Sequence, residues 1–233
     1  MEPTNNNLNL WESTHFGSTC STYEQSFPSN QLLAFYAHHV LTYLSGQPHA
    51  TWLEYGCGSG LSICGLIKLG LSIKEIYLAD VASIALEKAQ INLKSLNLPI
   101  SLSYSLITQN RTNLSSQSID ILHAESSIYY NCFSGFCEAI DEIYRLLKPE
   151  GIARIVIKSD KDRYANKNLA VSSFTYSVEK PNHWENGMTV TCLPYDEVLR
   201  LFDRFSKVQI GFEEYSYIDL DAVKSFWVVT CTK

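Results

Sequence analysis

The chain has 233 residues, 45% of them apolar and 18% charged, with a net charge of −6. That length allows one α/β domain with a full core, and the composition is ordinary for a globular protein. The acidic balance, with no local run of Lys or Arg, disfavours nucleic acid as a partner, because such recognition needs a basic field over its footprint.

Residues 1–10 read as a mobile tail, rich in Asn and without the basic and apolar stretches of a signal peptide. No stretch is long enough to span a bilayer. Seven cysteines, with no Cys-x-x-Cys pair, read as free buried thiols of a reducing compartment, so a cytoplasmic location is expected. Residues 11–49 precede the core. Within them Asn30 to Leu44 reads as a helix, with Leu32, Leu33, Phe35, Tyr36, Val40 and Leu41 near helical spacing and Pro28-Ser29 as a start signal. Trp11, Phe16, Tyr23 and Phe27 offer an aromatic surface, suited either to closing a pocket or to packing on a sheet.

The most informative stretch follows. Trp52-Leu53-Glu54-Tyr55 is a short apolar strand containing an acid, and Gly56-Cys57-Gly58-Ser59-Gly60 is a turn with glycine at every second position. Glycine tolerates positive φ and lets a ligand approach the backbone. A helix starting at Leu61 would aim its free N–H groups at that turn. A second apolar strand, Ile76-Tyr77-Leu78-Ala79-Asp80, again ends in an acid, at the spacing where a βαβ unit places a carboxylate for ribose hydroxyls. The alternative role for Asp80 is capping of the next helix. A dinucleotide loop requires a small third residue, but Leu61 or Ile63 stands there. Glu54, two residues before the first glycine, suits a ligand carrying an ammonium group.

Strands are expected near 50–55, 75–79, 101–107, 119–124 and 152–157, and helices near 59–69, 82–96, 134–147 and 194–204. This alternation argues for a parallel sheet with helices on both faces. Val208 to Tyr217 and Ser225 to Thr230 read as a closing hairpin around Asp219-Leu220-Asp221. Residues 158–193 have no clear period. Following the fifth strand, they belong above the carboxyl edge of the sheet, where ligands bind, and are read as a substrate-side insertion.

The Glu-x-Gly-x-Gly-x-Gly loop with Asp80, the strand Ser118-Ile119-Asp120-Ile121-Leu122, and the helix and turn Glu142 to Gly151 resemble the class I S-adenosylmethionine-dependent methyltransferases over about half the chain. Glu150 stands where that family's turn has its first glycine. The resemblance implies a Rossmann-like three-layer αβα sandwich in a single domain over 1–233. Its seven-stranded, mostly parallel sheet would be completed by the C-terminal antiparallel hairpin, with residues 11–49 as an N-terminal helical lid. It also implies S-adenosyl-L-methionine as cofactor. Gly56, Cys57, Gly58 and Gly60 would lie against its methionine portion and Glu54 near its ammonium group. Asp80 would take the ribose, with Val81 under the adenine and Tyr23 in the covering segment. Relatives often have an Asp after the third strand for the adenine amino group; this chain has none, and Thr108 or Gln109 is the expected substitute.

Methyl transfer mainly needs alignment, although some acceptors profit from a general base. His123 is either that base or part of the cofactor pocket lining. Tyr130 orients an acceptor hydroxyl or caps the pocket, and His183 with Glu185 would enter by closure of the insertion. No metal site is expected: His38-His39 point about 100° apart on a helix, and Asp160-Lys161 departs from the magnesium-binding pair of catechol-type relatives. The expected acceptor is a small molecule methylated on O or N, the protein a monomer or homodimer. The alternatives are a protein or peptide methyltransferase, a catalytically silent cofactor-binding domain, and a nicotinamide oxidoreductase.

Overall fold

The computed structural model describes residues 6–15, 28–71, 73, 75–97, 99–181, 183–216 and 223–233. Tyr23, Phe16, Phe27, Cys20 and the turn at 219–221 lie outside the described residues.

Five parallel strands form the heart of the fold: β1 (Thr51–Tyr55), β2 (Glu75–Asp80), β3 (Ser101–Leu106), β4 (Ile119–Ala124) and β5 (Leu147–Ser159). The order β3-β2-β1-β4-β5 puts β1 at the centre, where all five of its residues are buried. Such a strand has no polar face, because helices cover both sides. The C-terminal pair β9 (Ser206–Tyr215) and β10 (Lys224–Thr232) extends the sheet, with β10 antiparallel to both β5 and β9. The seven strands β3-β2-β1-β4-β5-β10-β9 reproduce the expected arrangement.

Among the described residues the sheet nevertheless has ten strands. The additional β6 (Ala170–Ser172), β7 (Thr175–Ser177) and β8 (Thr189–Leu193) come from the insertion. β8 pairs in parallel with Lys158 and Ser159, beyond the last residue of β4, so the insertion rises over the carboxyl edge. Its short, interrupted strands leave no period in the sequence.

The helices α4 (Leu61–Lys68), α5 (Ser83–Lys94), α6 (Phe133–Leu146) and α7 (Tyr195–Leu201) match the expected positions. On α6, Phe136, Ile140 and Ile143 are buried together, as their i, i+4, i+7 spacing requires. After α6, Glu150 takes φ +62, the left-handed conformation that glycine adopts cheaply. Gly151 follows because a Cβ there would meet Lys148 O at 2.9 Å.

Residues 30–46 form one helical run: α2 (Asn30–Phe35), a π turn over Tyr36–Val40, and α3 (Leu41–Gly46). Ser29 caps it, its Oγ accepting the Leu32 N–H at 3.1 Å. Leu32, Phe35 and Val40 pack with Trp52, Ile63 and Leu66 against the sheet, so this stretch of the expected lid segment belongs to the core. Conversely Asn6–Leu10, expected within a tail, form helix α1, followed by a π turn over Trp11–His15. At the amino edge, Asp120 accepts from the Thr51 N–H and hydroxyl and from Lys148 Nζ at 2.6 Å. Burial alone would raise its pKa, but these donors outweigh it and hold it low. Among the described residues, no helix is long and apolar enough to cross a membrane.

Candidate active site

The glycine loop closes over the end of β2. The N–H groups of Gly56 and Cys57 both donate to Ala79 O, at 2.7 and 2.9 Å. Gly56, Gly58 and Gly60 have φ of +77, +52 and +72. At Gly56 a Cβ would stand 2.1 Å from Ser127 Cβ, so only glycine lets β1 and the segment after β4 meet here. Gly60 begins α4 without a side-chain cap.

Asp80 holds this loop. Its Oδ2 accepts the Gly58 N–H at 2.8 Å and its Oδ1 the Ala82 N–H at 2.9 Å, so it ties the loop to the start of α5. It also lines the cavity described below. Burial pushes its carboxyl up to about 6, against the pull of these backbone donors. The N-cap of α5 is Ala82, without a side-chain cap, so Asp80 does not cap the helix as the alternative had it but bonds the cap residue's own N–H; each oxygen keeps acceptor capacity for another donor.

Glu54 and His123 form a buried pair, Nε2 to Oε1 at 3.1 Å. Trp52 Nε1–H, which can only donate, bonds His123 Nδ1 at 2.9 Å. Nδ1 therefore accepts, the ring is uncharged, and its single proton points from Nε2 to Glu54. His123 is completely buried with both nitrogens engaged. This corrects its reading as a base or as pocket lining: the imidazole fixes Glu54 from behind. Glu54 lines the cavity, its pKa raised by burial, and its Oε2 is buried without a hydrogen-bond partner among the described residues. An unpartnered buried carboxylate oxygen is costly unless a donor arrives.

The cavity measures about 570 Å³ and runs from the glycine loop to the insertion. Gly56, Cys57, Gly58, Asp80 and Val81 border one end. Thr108 and Gln109 do not border it: both are exposed, at an isolated two-residue bridge turn where Gln109 has φ +50 and Asn110 φ +58. Ile107 and Asn110, on either side of them, do face the cavity, and Asn110 O accepts the Tyr55 hydroxyl at 3.0 Å. Gly60 is set back from the cavity, packed toward Ala89 and Leu78.

The other end is built by the segment after β4, the insertion and α1. Tyr130 donates to Glu185 Oε1 at 2.6 Å, and the Tyr164 hydroxyl donates to Oε2. Burial alone would raise the Glu185 pKa, but the two phenols, with Lys158 and His183, hold it below the ordinary value. The Tyr130 phenol is pushed well up by burial. His183 Nδ1 accepts the Glu185 N–H at 3.2 Å, and burial lowers its pKa, so the ring is neutral. Tyr130, His183 and Glu185 thus do meet at one place. Trp11 covers it, edge-on to Tyr130 at 5.1 Å and tilted against Trp184 at 5.4 Å. Asn7 ties α1 down with bonds to Tyr130 O, Thr189 O and the Thr189 N–H.

Sequence reasoning did not single out Asn7, Lys158, Arg163, Lys180 or Lys224, all of which border this end. The charged run from Lys158 to Arg163, directly after the fifth strand, was the available signal for two of them. Glu125, which also borders the cavity, accepts from Arg154 at 3.2 Å.

A family profile described as a methyltransferase domain matches residues 47–199, which include the loop, both acids and the whole insertion. No curated protein matches the sequence. A structure of an S-adenosylmethionine-dependent methyltransferase from Methanosarcina mazei is 18% identical, with a TM-score of 0.64 over 83% of this chain and 96% of its own. One from Aquifex aeolicus is 17% identical, with a TM-score of 0.50 over 79% and 82%. The [4+2]-cyclase SpnF is 17% identical, with a TM-score of 0.57 over 79% and 75%. With two thirds of its length under the family profile and the expected strand order in place, the chain belongs to the class I S-adenosylmethionine-dependent methyltransferases.

Proposed function

We propose that the protein transfers a methyl group from S-adenosylmethionine to a small-molecule acceptor held in the 570 Å³ cavity. The observation that carries this reading is the unpartnered Glu54 Oε2, buried at the glycine-loop end of a cavity that α1 and the insertion enclose at the other. The residues fit the cofactor. Glu54 offers an ionic acceptor to an ammonium group, Asp80 offers acceptor lone pairs to ribose hydroxyls, and the loop glycines leave room along the backbone. Val81, Ile107 and Asn110 border the space for the adenine, in place of Thr108 and Gln109. When bound, S-adenosylmethionine supplies a methyl group already activated on a sulfonium centre.

The chain's own contribution is mainly positioning, worth up to ~7–11 kcal/mol in well-aligned cases. Tyr130 keeps its proton and gives it to Glu185, so it is no base and orients an acceptor hydroxyl by accepting from it. Glu185 is ionised but weakly basic, with a phenol on each oxygen. His183, neutral with Nδ1 accepting from the Glu185 N–H, carries its proton on Nε2, so in this geometry it donates to an acceptor and takes a proton only when the Nδ1 bond opens. A folded peptide or protein chain fits an end closed by Trp11, Trp184 and the Asn7 tether poorly. The reading is tested by following S-adenosylhomocysteine release with panels of hydroxyl- and amine-bearing metabolites and of peptides. Turnover with a metabolite is expected; turnover confined to peptides would overturn it.

A further inference from the structure

The chain is acidic overall, yet the acceptor end of the cavity is cationic. Lys158, Arg163, Lys180 and Lys224 border it, against the carboxylates of Glu185 and Asp162. Both carboxylates are already committed. Asp162 accepts from Lys158 Nζ, the Tyr164 N–H and the Ser225 N–H, each at 3.1 Å. Glu185 holds the two phenols, and Arg163 NH2 comes only to 3.8 Å from it. Lys158 is also satisfied: it is buried beneath the rings of Tyr129, Tyr164 and Phe226, at 4.7–4.9 Å from their centres.

The two remaining lysines are not, and Arg163 is only partly so, with Glu185 at 3.8 Å and its guanidinium over the Tyr164 ring at 4.8 Å. Lys180 and Lys224 have no ion pair among the described residues, and both are half-buried. Arg163 donates to the Tyr164 hydroxyl at 3.0 Å but leaves its Nε buried without a hydrogen-bond partner among those residues. The three come from separate elements: the start of the insertion, its far arm, and the first residue of β10. Burial lowers the pKa of both lysines, and with the repulsion of Arg163 it outweighs the attraction of Glu185. Two lysines without an ion pair, held partly out of water beside a guanidinium, are unfavourable, and a bound anion relieves both the desolvation and the repulsion.

We propose that the methyl acceptor carries a carboxylate or phosphate group that binds between Arg163, Lys180 and Lys224. This rests on the acceptor lying in the same cavity as the cofactor. The anion would anchor the acceptor by charge-assisted bonds at the far end, leaving its nucleophile to face the glycine loop. Nucleic acid is not implied, because the cations line a cavity and do not form an exposed basic face.

The test is calorimetric titration of the full chain, with and without S-adenosylhomocysteine, using three probes that share a ring: phenyl phosphate, benzoate and benzyl alcohol. At least one anion should bind tenfold or more tighter than the alcohol. That preference should fall at least tenfold in Lys180→Gln and Lys224→Gln, and persist in Lys94→Gln on the exposed end of α5. Phenyl phosphate or benzoate as the tighter probe names the anion. Equal binding of all three probes, or an anion preference untouched by both lysine variants, overturns the subsite. Loss of S-adenosylhomocysteine binding with the anion preference intact supports the subsite and overturns the cofactor reading alone.

Discussion

Asp80→Asn separates folding from binding. The wild-type carboxylate, at about 6 and not 3.8, costs the folded state about 3 kcal/mol at neutral pH. Asparagine removes that cost. It keeps one acceptor oxygen, so one of the two N–H donors, Gly58 or Ala82, loses its partner, a loss of about 1–3 kcal/mol. The two nearly cancel, and Tm at pH 7.5 should stay within about 4 °C of wild type. Binding does not share this compensation. Losing the anionic acceptor for two ribose hydroxyls should weaken S-adenosylhomocysteine at least tenfold by calorimetry.

The pH dependence follows with a definite sign. Because the folded pKa is raised, this group favours the folded state increasingly as pH falls from about 6 toward 3.8. Cofactor binding wants the carboxylate ionised, so affinity should fall about tenfold between pH 7 and pH 5, and less in Asp80→Asn. Wild-type affinity in the variant at pH 7.5, with Tm unchanged, would show that Asp80 only tethers the loop.

Gly56→Ala places a methyl on Ser127 Cβ at a positive φ and should cost about 2–4 kcal/mol in urea denaturation. Adding Ser127→Gly should recover at least half, and no recovery would show that the contact is not the cause. His123→Gln should cost about 2–3 kcal/mol of stability and weaken S-adenosylhomocysteine binding, since it disturbs the Trp52 and Glu54 bonds. The shape of the pH–rate profile should survive; loss of a single basic limb with normal cofactor affinity would restore His123 as a base.

The core was readable because periodicity reports burial. β1, β2, β4 and the buried face of α6 carry unbroken or evenly spaced apolar residues, and the terminal hairpin shows plainly at Val208 to Thr230. The place of Glu54 and Asp80 beside the cavity was readable because glycine at 56, 58 and 60 marks a turn at positive φ, and each acid ends or nearly ends a strand leading toward it. What escaped were contacts across long separations. His123 sits behind Glu54 only because β1 and β4 pair in register at these two residues. The turn at Gln109 and Asn110 points Thr108 away, which its neighbours in sequence do not disclose. The far end draws on Asn7, Arg163, Lys180 and Lys224, four positions without a shared pattern.

A crystal structure of the protein with S-adenosylhomocysteine bound tests the central claim most directly. The ligand's ammonium group is expected within hydrogen-bond distance of Glu54 Oε2 and its ribose hydroxyls on Asp80. The ligand lying elsewhere, or in this cavity with Glu54 Oε2 still unpartnered, would contradict it.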